Sequence, residues 1–280
     1  MTLKTILVSL NSVERADAVM RAAVDLAIEH DAHLIGLFVI PAMRIYPVVT
    51  MHVPPEFFEA QRKTFEKQAA DLREVFEDYG RKNGLRYEWR QEDALSPLIA
   101  DTVIEHARRC DLLIASQPLD DEVAGVEGDF AERIIMETGR PVLFIPNKGE
   151  YRNTGRKIVA GWNASREATR AIYDALPLLA KAGEVRLAWI DPQRDEEESG
   201  DLPGAEMAAS LARHDINAVA DDVASGGLEA GEVLLNHVAD TGSDMLVCGA
   251  WGHSRLREYV FGGVTQHLLK HMTVPVLFSH

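Results

Sequence analysis

A chain of 280 residues, 46% hydrophobic and 26% charged, is an ordinary globular polypeptide with enough length for two domains. Its formal net charge of −15 disfavours non-specific binding to nucleic acid or to an anionic membrane, while leaving room for a local basic patch around a phosphate. The mean hydropathy is −0.11, no apolar run is long enough to span a bilayer, and the N-terminus makes a poor signal peptide, so the expected location is cytoplasmic.

In chain order, Lys4 to Leu10 reads as a buried strand that ends at Asn11. Ser12 is placed to cap a helix whose apolar stripe runs through Ala16, Met20, Ala23 and Ala27. A second strand spans Ala32 to Ile40. Prolines 41, 47, 54 and 55 then oppose helix across an insert at residues 41–58. A long amphipathic helix is expected from Glu56 to Tyr79, with Gly80 and Gly84 at its end, followed by a polar strand from Leu85 to Arg90. Ser96-Pro97 predicts a helix to Arg108, Asp111 to Ala115 a strand, Phe130 to Glu137 a helix, and Arg140 to Pro146 a fifth strand. Asn147 to Gly155 is polar and glycine-bearing and reads as a linker.

The pattern then restarts. Arg156 to Asn163 mirrors the opening strand, with Asn163 falling where Asn11 fell. A helix over Arg166 to Ala182 should be interrupted by Pro177; Val185 to Ile190 is a strand and Asp191 to Asp201 an acidic loop. A helix from Ala205, a strand from Ile216 and a helix from Ala230 lead to the strand Asp244 to Cys248. Gly249 and Gly252 follow at once, and Gly262-Gly263 opens a last helix with Val264, Leu268, Leu269 and Met272 at helical spacing. Val274 to Phe278 closes the chain as Pro141 to Phe144 closed the first half. A strand, a glycine loop and a helix N-terminus together favour phosphate, because free N–H groups and the positive end of the helix dipole converge there.

A whole domain is therefore duplicated, with residues 1–147 and 156–280 as the two copies. Strands alternating with helices predict two tandem α/β domains, each a doubly wound, Rossmann-like parallel sheet. Ligands in such sheets sit beyond the carboxyl ends of the strands, where Asn163, Ile190 and Gly249 should converge. The closing strands Val142–Ile145 and Val274–Phe278 are apolar edges that need a partner.

With the duplication and the G-x2-G-x9-G-G-V-T spacing in place, the chain resembles a tandem universal stress protein over nearly its whole length. The resemblance implies an adenine nucleotide alpha hydrolase-like fold in which the two closing strands pair antiparallel, so that the halves form a pseudo-dimer. It implies a nucleotide site in the second copy built from Gly161, Trp162 and Asn163, from Ile190, from Cys248, Gly249 and Gly252, and from Gly262, Gly263, Val264 and Thr265. Gly263 stands where the family usually has serine, and Asn163, like Asn11, where it has aspartate. In the first copy Ser116-Gln117-Pro118-Leu119 and Gly128-Asp129 replace the glycine motif, which marks a degenerate site. The implied ligand is ATP or another adenine nucleotide, with magnesium as its companion ion. The implied role is a stress-response regulator that binds the nucleotide without fast chemistry, in a homo-oligomer such as a dimer, with unknown protein partners. The alternative is a structural or protein-interaction member, or a binder of another small ligand.

Other residues carry two readings each. Trp162 suits stacking on adenine or burial in an interface. Arg255, Arg257 and His253 suit a phosphate or a solvated loop. His267 and His271 share a helix face but have no obvious third metal ligand apart from the terminal His280, and Asp195 to Glu198 reads as a solvated loop. Cys110 and Cys248, each in or beside an apolar run, read as buried thiols. No catalytic residue is expected.

Overall fold

The computed structural model describes residues 2–42, 55–94, 96, 98–118, 126–192, 204–251 and 263–280. The first half comprises β1 (Thr5–Ser9), α1 (Val13–His30), β2 (His33–Ile40), α2 (Pro55–Lys82), β3 (Tyr87–Asp93), α3 (Ile99–Ala107), β4 (Leu112–Ser116), α4 (Phe130–Glu137) and β5 (Val142–Ile145). The second comprises β6 (Lys157–Gly161), α5 (Arg166–Asp174), α6 (Leu176–Leu179), β7 (Glu184–Ile190), α7 (Ala205–Ala212), β8 (Ala218–Val223), α8 (Ala230–Thr241), β9 (Met245–Gly249), α9 (Val264–His271) and β10 (Val276–Ser279).

The ten strands among the described residues lie in one sheet of order β3-β2-β1-β4-β5-β10-β9-β6-β7-β8. Each half repeats the order 3-2-1-4-5 with parallel neighbours, as its buried apolar strands require. The halves meet at β5 and β10, the partner that the apolar closing strands need, and they pair antiparallel as the resemblance implies, with Val276 opposite Phe144 and Phe278 opposite Val142. Two apolar clusters cover the two faces of the sheet, and each draws residues from both halves. At the seam the Phe144 and Phe278 rings meet edge to face at 6.1 Å.

Several boundaries differ from those expected. The long helix α2 passes through Gly80 to Lys82, because Gly80 lies against the ring of Tyr87, where a Cβ would come within 2.4 Å. Strand β3 starts at Tyr87 and runs to Asp93, a polar edge strand kept extended by pairing with β2 along its whole length. Ser12 occupies the N-cap of α1 but makes no side-chain cap bond. Ser96 instead accepts the Leu98 N–H, and helix α3 begins at Ile99. Pro177 sits in the first turn of α6, and the expected interruption falls at Ala175. Both cysteines are buried thiols, as expected. Among the described residues no helix is long and apolar enough to cross a membrane.

His30, in the last turn of α1, is 2% exposed and neither ring nitrogen has a partner. Burial holds its pKa below the ordinary value, with Lys181 acting in the same direction and Glu29 against it. The unfolded chain therefore binds a proton more readily than the folded one. The stability tied to this neutral ring is complete above the unfolded pKa of about 6.5, and it is lost as pH falls through the lower folded value. In urea titrations at a series of pH values, His30→Leu should flatten the decline below about pH 6.5 relative to the wild type. An unchanged slope would refute the assignment.

Candidate functional site

The sheet order reverses between β6 and β9, and a cavity of about 340 Å³ opens beyond their carboxyl ends. Of the eleven residues expected from the sequence, eight line it: Gly161, Trp162, Asn163, Ile190, Cys248, Gly249, Val264 and Thr265. Gly263 is placed as the N-cap of α9, just before Val264. Gly252 and Gly262 lie outside the described residues, as do Leu119, Asp195 to Glu198, His253, Arg255 and Arg257.

Three helices begin at this cavity, and their first turns differ in chemistry. On α5 the Ser165 hydroxyl oxygen accepts the Ala168 N–H at 3.2 Å, while Asn163 Oδ1 accepts the Ser165 N–H at 3.1 Å. That end is satisfied by its own side chains. The N-cap of α8 is Glu229, a carboxylate already matched to the dipole. The N-cap of α9 is Gly263, which has no side chain to cap the turn and no acidic residue in that turn. Among the described residues no side chain caps the first N–H groups of α9, and such N–H groups suit an anion.

The glycine at the end of β9 has a packing cause. A Cβ on Gly249 would stand 2.4 Å from the Glu167 carbonyl carbon and 2.6 Å from the Ala168 nitrogen, so α5 rests directly on the strand end. Beyond it the chain turns through Trp251, which is buried at φ 49°, a left-handed conformation unusual for so bulky a residue. The Trp251 N–H donates to Thr265 Oγ1 at 3.3 Å, and the preceding Ala250 N–H donates to the Ser279 carbonyl at 2.9 Å. Thr265 is 1% exposed, so its hydroxyl oxygen first serves this turn. Ala164 and Asp191, at the ends of the neighbouring strands, are left-handed too. Backbone strain of this kind collects where the surrounding structure holds a site in shape.

The polar lining is acidic. Glu167 is 8% exposed and pairs with the exposed Arg166 at 3.1 Å. Asp191 accepts the Ser225 N–H at 3.0 Å, and hydrogen bonds from Ser225 hold its carboxyl below the usual range. None of the described residues lining the cavity is Lys, Arg or His. Trp162 is part-exposed on the wall, edge to face with Trp189 at 6.4 Å, and free to offer its ring. Ala188, Leu228 and Leu234 add apolar surface. Glu167, Asp191, Ser225 and Trp251 escaped the reading from sequence. Glu167 sits in the first turn of a helix where no residue was singled out and Asp191 in a loop that looked merely acidic, while Ser225 follows an edge strand. Trp251 was in view inside the G-x2-G spacing.

The remaining candidates fall elsewhere. The His267 and His271 rings lie 4.6 Å apart, and burial together with the neighbouring His271 lowers the His267 pKa. No group of three metal-binding side chains occurs among the described residues. In the first half Gln117 is buried at the end of β4, and Asp129 is the N-cap of α4, without a side-chain cap bond.

Part of the chain matches a known family, and its fold matches solved structures. Residues 155–280 match the model of the universal stress protein family. A universal stress protein of Synechocystis is 40% identical over 48 residues, a segment spanning 17% of each chain. The whole chain is similar in fold to a universal stress protein from Archaeoglobus fulgidus, with TM-score 0.73 and 13% identity over 98% of this chain and 95% of that one. It is similar again to a protein of unknown function from Pseudomonas aeruginosa, with TM-score 0.58 and 16% identity over 99% and 92%.

The packing at Gly249 is directly testable. Gly249→Ala should destabilise the ligand-free protein by about 2 kcal/mol or more in urea unfolding, since the atoms in the way are backbone and cannot swing aside. Gly161→Ala meets only side chains, the nearest at 3.5 Å. It should cost less than about 1 kcal/mol. Equal effects would contradict the packing.

Proposed function

We propose, from the premise that residues 155–280 form a universal stress protein domain, that the cavity holds ATP or another adenine nucleotide at one site per chain. The carrying observation is that eight residues drawn from four separate segments converge on one cavity, at a helix start whose N-cap is a glycine. The apolar wall between Trp162 and Ile190 suits the base. Asp191 stands at the end of the second strand of its half, where a doubly wound sheet places the carboxylate that receives ribose hydroxyls. The phosphates then fall to Gly249 and to the open N–H groups of α9.

The first half lacks these features. Its strand end carries Gln117 in place of Ala250, and Asp129 stands where Gly263 opens α9, so like charge opposes a phosphate there. The protein acts as a stress-response regulator that binds rather than turns over its ligand, located in the cytoplasm and working as a homo-oligomer such as a dimer. A magnesium ion would accompany the phosphates and neutralise part of their charge. A second reading, a small ligand without phosphate, draws on the buried carboxylate of Glu167, which suits hydroxyl or amine groups.

Calorimetric titration with ATP should give a stoichiometry near one. Val264→Glu puts a carboxylate in the first turn of α9, a position favourable for the helix, and should abolish that binding without unfolding the protein. Two equivalent sites, or full-strength binding by the variant, would contradict this reading. Mass analysis of small molecules released on denaturation separates the two ligand classes.

Steady-state ATP turnover with magnesium should stay below about 1 per second. Phosphoryl transfer needs cations and a residue that positions the nucleophile. The described lining offers no side-chain cation, and Thr265 is engaged with Trp251. Faster turnover that is lost in Val264→Glu would make the protein an enzyme.

A further inference from the structure

We infer that Gln117, a residue of the first half, is a positioning residue for the cavity of the second half and acts through α9. Its Nε2 donates to the carbonyl oxygens of Leu269 at 2.8 Å and Lys270 at 3.0 Å, two of the last carbonyls of α9. Its Oε1 accepts the Asn147 N–H at 2.9 Å. Its own carbonyl accepts from Arg15 Nη1 at 2.6 Å, and the same nitrogen donates to Asn147 Oδ1 at 2.7 Å. Arg15, Gln117 and Asn147 close a triangle of hydrogen bonds in which the Gln117 amide has a partner for each donor and for its oxygen. Burial lowers the Arg15 pKa, while Glu14 opposes this. At 7% exposure the Gln117 side chain has little water to fall back on.

Helix α9 has eight residues, so it is a rod of about 12 Å with one end in each site. Its first turn supplies Val264 and Thr265 to the cavity, and its last turn is held by Gln117. Midway, His267 packs on α8 so closely that a Cβ on Gly231 would stand 3.0 Å away. That contact makes a pivot. Freeing the far end lets the rod tilt about it and moves the N–H groups at the cavity. Position 117 is the first residue past β4, and its counterpart past β9 is Ala250, which cannot make such bonds. The first copy of the site has become the hold on the second.

The ligand arm of the test rests on the nucleotide reading; the exchange arm does not. ATP affinity is measured by calorimetry for the wild type, Gln117→Leu, Gln117→Glu and the core control Val19→Ala. Hydrogen exchange of the His267 and Leu268 amides is measured without ligand. Gln117→Leu should weaken ATP about tenfold and speed exchange at both amides. Gln117→Glu keeps the acceptor for Asn147 but loses both donors. It should weaken ATP equally at neutral pH and recover in part as acid restores one donor. Val19→Ala should lower the melting temperature and leave affinity and α9 exchange at wild-type values. Wild-type affinity in Gln117→Leu, or an equal loss in Val19→Ala, overturns the inference. A wild type that binds no ATP ends the nucleotide reading alone; exchange then decides this one, faster in Gln117→Leu only if Gln117 positions α9.

Discussion

The structure depends on the antiparallel pairing of β5 with β10. β5 closes its half with four apolar residues and β10 with three and a buried serine, and left alone each would be an exposed, sticky edge. Paired, they turn two five-stranded parallel sheets into one sheet of ten and let the two apolar layers run through from one half to the other. The same pairing fixes direction. Because β10 runs opposite to β5, the carboxyl ends of the two half-sheets point opposite ways. The chain entering β10 therefore passes the carboxyl end of β4. That is how the last turn of α9 comes to lie on Gln117, 152 residues earlier in the sequence.

The elements most legible in the sequence were those whose signals are local. Helix α4 begins and ends where its apolar spacing says, from Phe130 to Glu137, and the break at Ala175 follows from Pro177. The misplaced boundaries share a cause in contacts distant along the chain. Gly80 looked like a helix end, yet it is the place where α2 admits the Tyr87 ring. Ser12 has the right chemistry for a cap, yet its side chain takes no part in one.

The cavity was legible for a related reason. A glycine spacing and an internal repeat are written along the chain, and the fold class says where strand ends converge. Eight of the expected residues meet there because they lie at those ends. Glu167 and Ser225 were not legible, since nothing in a single sequence says that α5 leans on Gly249 or that the turn after β8 reaches Asp191. Gly249 itself was expected among the residues of the nucleotide site. Its nearest neighbours are the backbone atoms of α5, so glycine is required there with or without a ligand.

A duplicated fold starts with two equal crevices, and this chain has made them opposites with few substitutions. Glu167 stands four residues after Asn163 and Arg15 four after Asn11, so the same place on the first helix is anionic in one half and cationic in the other. Arg15 is bonded to a backbone carbonyl and an amide oxygen, both neutral. Glu127, nearly buried, accepts the Ile99 and Ala100 N–H groups and so fills the start of α3 with a carboxylate of the chain's own. The donors of the first crevice are therefore spent internally, on a side-chain carboxylate and on the carbonyls of α9. In the second crevice the start of α9 has glycine at its cap, and Ala250 makes no claim on α4. The burial of polar groups decides which crevice stays open. A buried donor must be matched, and in the first half the chain matches its own, whereas in the second no side chain among the described residues caps the start of α9.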